Sequence, residues 1–387
     1  MKKVIYASYN PFTPAVRVGA HYYSSLMSAD GHDVLYLADA DFIFHHLDRR
    51  KHVREGRKEW YEIKKRGAVR LPEGPLQYIP ESLIPTLRKL WPFNTSWSSV
   101  FAARITWPSV KRTARKLGFA RPDLFWLENV RYLYLAKKLK PSLLVQRVHD
   151  MTLASPVEQN IKDLFIESLR RSSVVFRMSK SLMDDYISEL SGSPQKVHYL
   201  PNGVSEDWFR VPPQLPEPPD LAVIPRPRVT MVGVYEFWVD YPKLWQLARL
   251  LPDVSFVMIG PVRIILPDAK PDNIHFLGKR PHEAVPSYLR NSDVGLSIFA
   301  RTTFTEYVNL IKLYEYLAMG LPAVSTAHRE LSLIDAPWYL ADSADDFARA
   351  IRRSLELGRD ERLALVEFAR ANTWEKRYET VKEVIGL

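Results

Sequence analysis

The sequence predicts an α/β protein built from two doubly wound domains of parallel strands. One observation is the length of 387 residues, which is too great for one ordinary hydrophobic core. A second is the alternation of short buried strands with helices along both halves of the chain. A third is the segment 212–227, where seven prolines exclude a helix and predict an extended connector.

These observations predict the domain boundaries. Residues 1–211 would form an N-terminal domain, and residues 212–228 a proline-rich linker. Residues 229–371 would form a C-terminal domain. The final helix, 372–387, could cross back to the N-terminal domain.

In the first half, short apolar runs predict buried strands. They lie at 3–8, 32–37, 123–128, 142–148, 173–178 and 196–200. Helical periodicity predicts helices at 19–29 and 158–171, and Ser179 would cap another. Because the order is strand and then helix, we expect parallel strands.

The second half repeats this rhythm with its own strands and helices. The predicted strands are 229–232, 255–259, 274–277, 294–298 and 323–326. The predicted helices are 241–251, 284–291, 309–320, 343–357, 360–371 and 375–385.

Composition narrows the classes of protein. The chain has 46% hydrophobic and 25% charged residues, which is typical of a globular protein. It has no cysteine, so disulfides and thiolate-bound metals are excluded. The apolar run after the first lysines is too short for a signal peptide, and no stretch is long enough to span a bilayer. We therefore expect a cytoplasmic protein that lies on the inner face of a membrane.

The net charge of +10 is concentrated in one segment. Residues 49–70 hold ten lysines and arginines against three glutamates, and aromatic and aliphatic residues follow up to residue 118. Such a segment suits an anionic membrane surface. Nucleic acid is an alternative partner, and a solvated basic helix beside an ordinary hydrophobic helical pair is another interpretation.

The helix 309–320 has the pattern of a phosphate-binding element. Its apolar residues face a sheet, and Gly320 suits the left-handed position that ends a helix. Lys312 lies in the first turn, where free N–H groups and the helix dipole already favour an anion. Glu315 lies one turn further on the same face, within reach of the hydroxyls of a ribose. The alternative is an ordinary surface ion pair.

The loop after the first strand carries three further candidates. Asn10, Arg17 and His21 would lie at the carboxyl edge of the first sheet, where ligands of α/β proteins bind. We predict that they contact the acceptor, although Arg17 could instead form a local pair. The loop lacks the G-x-G-x-x-G fingerprint of dinucleotide-binding proteins.

The run KLYEYLAMGLPAV resembles the donor-binding helix of GT-B glycosyltransferases, in particular family-4-like enzymes and the xanthan-type membrane-associated glucuronosyltransferases. Other motifs follow in that family's order: VGVYEFW, WQLARLLPDVSFVMIGP, NIHFLGKRPHEAVPSYLRNSDVGLSIF and NTWEKRYE. In the first half the resemblance covers RVHD, the region of Glu167, the turn at Ser179, PNGV and PFNT. It implies two Rossmann-like domains facing across a cleft, and a site that requires no divalent cation.

The resemblance also implies roles for individual residues. Lys312 would bind the donor diphosphate and Glu315 the ribose. The other implied donor-binding residues are Gly233, Tyr235, Lys279, Arg280 and Ile311. Arg301 would help to stabilise the departing diphosphate. The xanthan-type enzymes have glutamine at the position of Glu315, so the resemblance does not predict which sugar is transferred.

Asp150 is the predicted general base. It follows the strand 142–148 and matches the aspartate that the xanthan-type enzymes use for this step. Glycosyl transfer needs a carboxylate or imidazole to take the proton of the acceptor hydroxyl, and His149 is the alternative. Asp150 could also merely cap the next turn.

The leading hypothesis is a metal-independent glycosyltransferase that moves a sugar from a UDP-sugar to a lipid-linked or polysaccharide-precursor acceptor. The sugar would be glucuronic acid or a hexose. One competing hypothesis is a two-lobed ligand-binding protein without chemistry. Another is a basic nucleic-acid-binding protein, which strong salt-dependent binding to duplex would favour.

Overall fold

The computed structural model describes residues 1–12, 17–43, 66–84, 96–148, 161–181, 192–193, 196–212 and 214–387. Three parts of the predicted site and surface lie outside these ranges: the general base Asp150 with its alternative His149, most of the basic segment 49–70, and the PFNT motif. The chain divides into two compact units, Met1–Leu200 and Pro201–Leu387. The division falls ahead of the predicted linker, so the PNGV turn belongs to the second unit.

The first unit contains ten described strands and five described α-helices. The strands are β1 (Lys3–Ala7), β2 (Asp33–Leu37), β3 (Asp41–Phe42), β4 (Val69–Arg70), β5 (Leu76–Tyr78), β6 (Glu81–Ser82), β7 (Leu124–Leu127), β8 (Leu143–Val148), β9 (Val174–Arg177) and β10 (Val197–Tyr199). The helices are α1 (Gly19–Ala29), α2 (Ser96–Arg104), α3 (Val110–Lys116), α4 (Leu133–Leu139) and α5 (Lys162–Arg171).

Eight of these strands form one sheet in the order β10-β9-β8-β7-β1-β2-β5-β4, and β3 pairs with β6 apart from it. All pairs of the large sheet are parallel except β4 with β5 at the edge. The chain runs outward in one direction through β2 and β5 and in the other through β7 to β10. The order therefore reverses between β1 and β7, which is the doubly wound arrangement that the sequence predicts.

A row of aromatic rings holds the middle of this sheet together. Tyr6 stacks on Tyr36 at 5.7 Å between ring centroids and on Trp126 at 5.5 Å, and Trp126 stacks on Phe176 at 5.4 Å. All four side chains are fully buried. Tyr6 lies directly opposite Tyr36 and Trp126 in the strand register, so these three rings are cross-strand neighbours. Phe176 belongs to β9 and contacts Trp126 across the intervening strand β8.

The second unit has a six-stranded parallel sheet in the order β13-β12-β11-β14-β15-β16. Its strands are β11 (Arg228–Val232), β12 (Ser255–Ile259), β13 (Ile274–Gly278), β14 (Val294–Ser297), β15 (Ala323–Thr326) and β16 (Tyr339–Ala341). Its helices are α6 (Asp207–Arg210), α7 (Pro219–Ala222), α8 (Tyr241–Leu250), α9 (Val285–Arg290), α10 (Ile311–Ala318), α11 (Arg329–Ser332), α12 (Ala344–Leu355), α13 (Arg359–Arg370) and α14 (Trp374–Ile385). Because the strand order reverses between β11 and β14, the ligand crevice of this fold is expected there.

The proline-rich segment differs from its prediction in one respect. The expectation that its prolines exclude a helix is wrong for one turn, α7. Pro219 occupies the first helical turn, where the missing N–H group costs nothing because no carbonyl precedes it in the helix. Leu221 and Ile224 are buried against Val257, Ile259 and Tyr288, so this part of the segment packs on the second unit.

The last helix also packs within the second unit. Its entry turn pairs with the PNGV turn, because Val204 N donates to the carbonyl of Asn372 at 3.1 Å and Trp374 N donates to the carbonyl of Val204 at 2.9 Å. The indole of Trp374 is fully buried. Within the described ranges, no helix has the length and apolar character needed to cross a bilayer.

Candidate active site

Three glycines shape the carboxyl edge of the second sheet. Gly233, Gly260 and Gly278 end or follow β11, β12 and β13, with φ values of 149°, 141° and 74°. Other residues rarely adopt these angles. Gly260 N donates to the carbonyl of Gly278 at 2.9 Å, and Gly233 N donates to the carbonyl of Ile259 at 2.9 Å. The three strand ends therefore meet as bare backbone at one edge of the sheet.

Helix α10 presents its first turn to this edge. Lys312 is its second residue, and its Nζ lies 2.9 Å from the point where a Cβ at Gly233 would stand. The same ammonium lies 4.8 Å from the ring centroid of Phe299, just after β14. Lys312 therefore sits between the ends of β11 and β14, where the strand order reverses. No side chain caps the start of the helix at Leu310.

Asn202 fixes the approach to this helix. Its backbone N–H donates to the side-chain oxygen of Asn309 at 3.3 Å, and its side-chain amide donates to the carbonyl of Asn309 at 2.6 Å. Both asparagines are buried. The PNGV turn thus holds the segment immediately before α10, a positioning role that the sequence analysis did not assign.

Burial changes the protonation of the two key side chains of α10. It lowers the pKa of Lys312 to about 8, although the charge of Glu315 acts in the opposite direction. It raises the pKa of Glu315 to about 7, against the opposing charge of Lys312. Both side chains are only partly exposed. The ammonium is therefore incompletely hydrated, and an anionic ligand would supply interactions that water does not.

This protonation predicts a pH dependence of nucleotide binding. A diphosphate favours the ammonium form of Lys312, whose pKa in the free protein is about 8. Above that pH each binding event must also take up a proton, so affinity falls as the pH rises. Between pH 7.5 and 9 we expect the dissociation constant of UDP to increase about tenfold, measured by calorimetry. Lys312→Gln should bind UDP weakly, with a dissociation constant that changes little with pH. An equally steep pH dependence in that variant would contradict the assignment of Lys312 to the diphosphate site.

The remaining predicted donor residues divide into two groups. Ile311 opens α10 and is partly buried, and Lys279 is exposed just after Gly278. Two of the predicted arginines are engaged elsewhere. Arg280 bonds Asp220 and the hydroxyl of Tyr288, and Arg301 pairs with Glu306 at 2.8 Å and Asp342 at 3.1 Å. Contact of either arginine with a nucleotide would therefore compete with these carboxylates.

Tyr235 requires a correction. The resemblance implies that it lines the nucleotide, but its side chain is fully buried in the core. Its hydroxyl donates to the carbonyl of Met231, and its ring meets the edge of Phe276 at 5.4 Å. Tyr235 therefore supports the end of β11 from within the core.

The three predicted acceptor residues lie at the carboxyl edge of the first sheet, but in different environments. Asn10 is exposed, and its carbonyl accepts from the hydroxyl of Tyr36 at 2.6 Å. Arg17 forms an ion pair with Glu73 and lies over the ring of Phe12. This is the local pairing that the sequence analysis left open.

His21 is buried, with 1% exposure, and packs against Phe12 at 4.3 Å between ring centroids. Burial, together with the nearby charge of Arg17, lowers its pKa to about 4. Its Nδ1 accepts from the backbone N–H of Val18 at 3.3 Å. In this structure His21 is a neutral side chain that accepts a hydrogen bond just ahead of α1, and its buried imidazole is not accessible to an acceptor.

A buried charged network at the same edge escaped the sequence analysis. Arg147 donates to Glu128 at 3.1 Å, and both side chains are 1% exposed. The hydroxyl of Tyr6 also donates to Glu128 at 2.7 Å, and that of Ser8 donates at 3.3 Å. This network joins the ends of β1, β7 and β8, and β8 leads into His149 and Asp150. The network could have been predicted from the charged residues Glu128 and Arg147 at the ends of the otherwise apolar runs LFWLE and LLVQRV.

Comparisons with known proteins agree with this geometry. Residues 228–356 match the family model described as "Glycosyl transferases group 1". The chain is 23% identical to the "Putative teichuronic acid biosynthesis glycosyltransferase TuaH" of Bacillus subtilis (strain 168). The alignment extends over 244 residues, or 59% of this chain. It spans about 60% of the length of that relative.

Solved structures show the same fold over the whole chain. Anabaena Alr3699/HepE in complex with UDP-glucose has a TM-score of 0.63 and 13% identity, covering 100% of both chains. The structure "Trehalose-6-phosphate from E. coli bound with UDP-2-fluoro glucose" has a TM-score of 0.66 and 12% identity, covering 99% of this chain and 98% of its own.

These findings define the class: the chain has the GT-B fold of glycosyltransferases, with two Rossmann-like domains. More particularly, residues 228–356 of its second unit match the family model of group 1 glycosyl transferases. The predicted fold class and the resemblance to GT-B glycosyltransferases are therefore confirmed. The closer likeness to the xanthan-type enzymes stays a prediction.

Proposed function

We propose that this protein transfers a sugar from a UDP-sugar to a lipid-linked or polysaccharide-precursor acceptor. The observation that carries the proposal is the position of Lys312 against Gly233 at the point of strand reversal. A partly buried ammonium, the first N–H groups of α10 and a bare strand end together suit a diphosphate. The complexes of HepE with UDP-glucose and with UDP support the choice of uridine. The biosynthetic role in the name of TuaH supports a glycan acceptor.

In the proposed reaction an oxygen of the acceptor bonds to the anomeric carbon as the bond from that carbon to the diphosphate breaks. The electron pair of that bond leaves with UDP, whose charge Lys312 and the start of α10 stabilise. The proton of the acceptor hydroxyl passes to the carboxylate of Asp150, with His149 as the alternative base. Glu315 would accept hydrogen bonds from the ribose hydroxyls. Either glucuronic acid or a hexose would be transferred, and the reaction would need no metal ion.

The proposal is tested by calorimetry with UDP, GDP and ADP and with the sugar nucleotides of each, followed by an assay for nucleotide release. We expect UDP and one or more UDP-sugars to bind, and slow release of UDP from the true donor with water as acceptor. A two-lobed binding protein would instead bind its ligand and release it intact. A nucleic-acid-binding protein would bind duplex with strong salt dependence, without competition from UDP.

The proposal includes peripheral attachment to an anionic membrane. Its support is the sequence of residues 49–70, where ten cationic side chains stand against three glutamates. We expect that changing the lysines and arginines of 49–58 to glutamine releases the protein from vesicles of phosphatidylglycerol and phosphatidylcholine in a flotation assay. A matched change of six exposed cationic side chains on helices of the second unit should leave binding unchanged: Arg349, Arg352 and Arg353 of α12, Arg359 and Arg370 of α13, and Lys376 of α14. Equal flotation of the two variants would remove the membrane proposal.

A further inference from the structure

Three aromatic side chains form a cluster at the carboxyl edge of the second sheet. Phe237, Trp238 and Phe304 lie 5.0, 6.3 and 6.2 Å from one another between ring centroids. We call them the aromatic trio. Phe237 is 68% exposed, and the other two rings are partly exposed. Water-exposed rings held together in this way mark a surface that another molecule covers.

The trio adjoins the proposed diphosphate site. Phe237 and Trp238 lie on the loop that begins at Gly233, and Phe304 lies on the loop that follows β14 and contains Phe299. These two loops pair with each other: Ala300 N donates to the carbonyl of Trp238 at 2.8 Å, and Val239 bridges to Phe299. Because Gly233 and Phe299 are also the residues that flank the ammonium of Lys312, the trio lies on the next part of the same two loops.

Hydrogen bonds hold the indole of Trp238 and the loop backbone beside Phe304 in place before any ligand binds. Trp238 Nε1 donates to the carbonyl of Val234 at 3.2 Å. On the other loop, the buried hydroxyl of Thr305 donates to the carbonyl of Ala300 at 2.6 Å, and the N–H of Thr302 donates to that hydroxyl oxygen at 2.9 Å. A preorganised surface loses little conformational entropy on binding, which favours a small rigid ligand.

Polar residues neighbour the rings along the chain. Glu236 precedes Phe237 and pairs with Arg263 at 3.1 Å, and Thr302 and Thr303 are exposed beside Phe304. A pyranose ring has faces of C–H groups, which pack on aromatic rings, and an edge of hydroxyls, which bind carboxylates, guanidinium groups and other hydroxyls. An apolar floor with a few polar groups at its margin is the usual composition of a small-molecule site.

We propose that the aromatic trio is a stacking platform for a sugar ring. This inference rests on the proposed function, since it places the sugar beside the diphosphate that Lys312 binds. The ring belongs either to the donor or to a saccharide acceptor, and the shared chemistry is a pyranose face against Phe237 and its neighbours.

Calorimetry on Phe237 variants tests the platform. The probes are UDP, UDP-glucose, UDP-galactose, UDP-N-acetylglucosamine and UDP-glucuronic acid, and, with saturating UDP, free glucose and glucuronic acid. If the stacked ring belongs to the donor, Phe237→Ala and Phe237→Leu weaken the binding of the best UDP-sugar roughly fivefold and leave the affinity for UDP unchanged. Phe237→Trp preserves affinity because it keeps a ring. For an acceptor ring, the same loss appears only for the free sugars. The matched control is Leu363→Ala, which removes a 52% exposed apolar side chain from α13.

Several results would overturn the platform. One is equal affinity of the wild type and Phe237→Ala for every sugar probe. Another is an equal loss for UDP and UDP-sugars, which would mean that the rings stack on the base. A third is a change confined to sedimentation or to vesicle binding, which would assign the rings to self-association or to lipid. If the wild type binds no nucleotide at all, the proposed function itself fails.

Discussion

Lys312→Ala is expected to weaken UDP binding by about a hundredfold, because it removes the ammonium that a diphosphate would contact at the start of α10. The backbone N–H groups of the helix and the bare strand end at Gly233 remain, so residual binding should be measurable by calorimetry. The substitution should not unfold the protein. Burial already disfavours the charged form of this side chain, as its pKa of about 8 indicates.

The matched control for this experiment is Lys376→Ala. Lys376 also lies in the first turn of a helix of the second unit, α14, but it is exposed. The Lys376→Ala variant should bind UDP with the affinity of the wild type. Equal UDP affinity in Lys312→Ala and the wild type, with both proteins folded by circular dichroism, would remove the donor-site assignment and with it the main support for the proposed function.

Asp150→Asn is expected to lower turnover by about a hundredfold to ten-thousandfold, the range that a general base contributes. Asparagine keeps the size of the side chain but cannot accept the proton of an acceptor hydroxyl. UDP affinity should stay within about twofold of the wild type, because the carboxylate would act on the acceptor and not on the donor diphosphate. The measurement is release of UDP from the best donor, with water or an identified acceptor.

Two further variants decide which residue is the base. His149→Ala should lose less turnover than Asp150→Asn, and the reverse order would assign the proton transfer to the imidazole. Asp163→Asn alters an exposed carboxylate in the first turn of α5 and should have no effect. Unchanged turnover in both Asp150→Asn and His149→Ala would leave the reaction without its proposed base.

The strands of the second half and their parallel pairing were the most predictable part of this protein. Each predicted strand of the second half appears in the parallel sheet, because short buried runs between helices have few other ways to satisfy their backbone groups. The strand β16 was missed, since its three residues YLA are too short to show a pattern. Helix α10 is shorter than predicted: it begins at Ile311, after Asn309 is bound by Asn202.

The candidate site was predictable where local geometry determines it. Lys312 and Glu315 share a helix face, and a helix start beside a sheet edge is a general feature of the fold. Side chains with distant partners were not predictable. Arg280 pairs with Asp220 from the proline-rich segment, and Arg301 pairs with Asp342 beyond β16. Whether Tyr235 faces a ligand or the core likewise depends on packing against Phe276, which no spacing in the sequence indicates.

The close contact between the ends of β11 and β12 limits what evolution or design can change here. A Cβ at Gly260 would stand 1.7 Å from the carbonyl oxygen of Gly233, closer than any two such atoms can approach. In a saturation mutagenesis library selected for folded protein, position 260 should therefore tolerate no replacement, not even alanine. Position 358, where a Cβ would meet nothing nearer than 3.7 Å, should accept many.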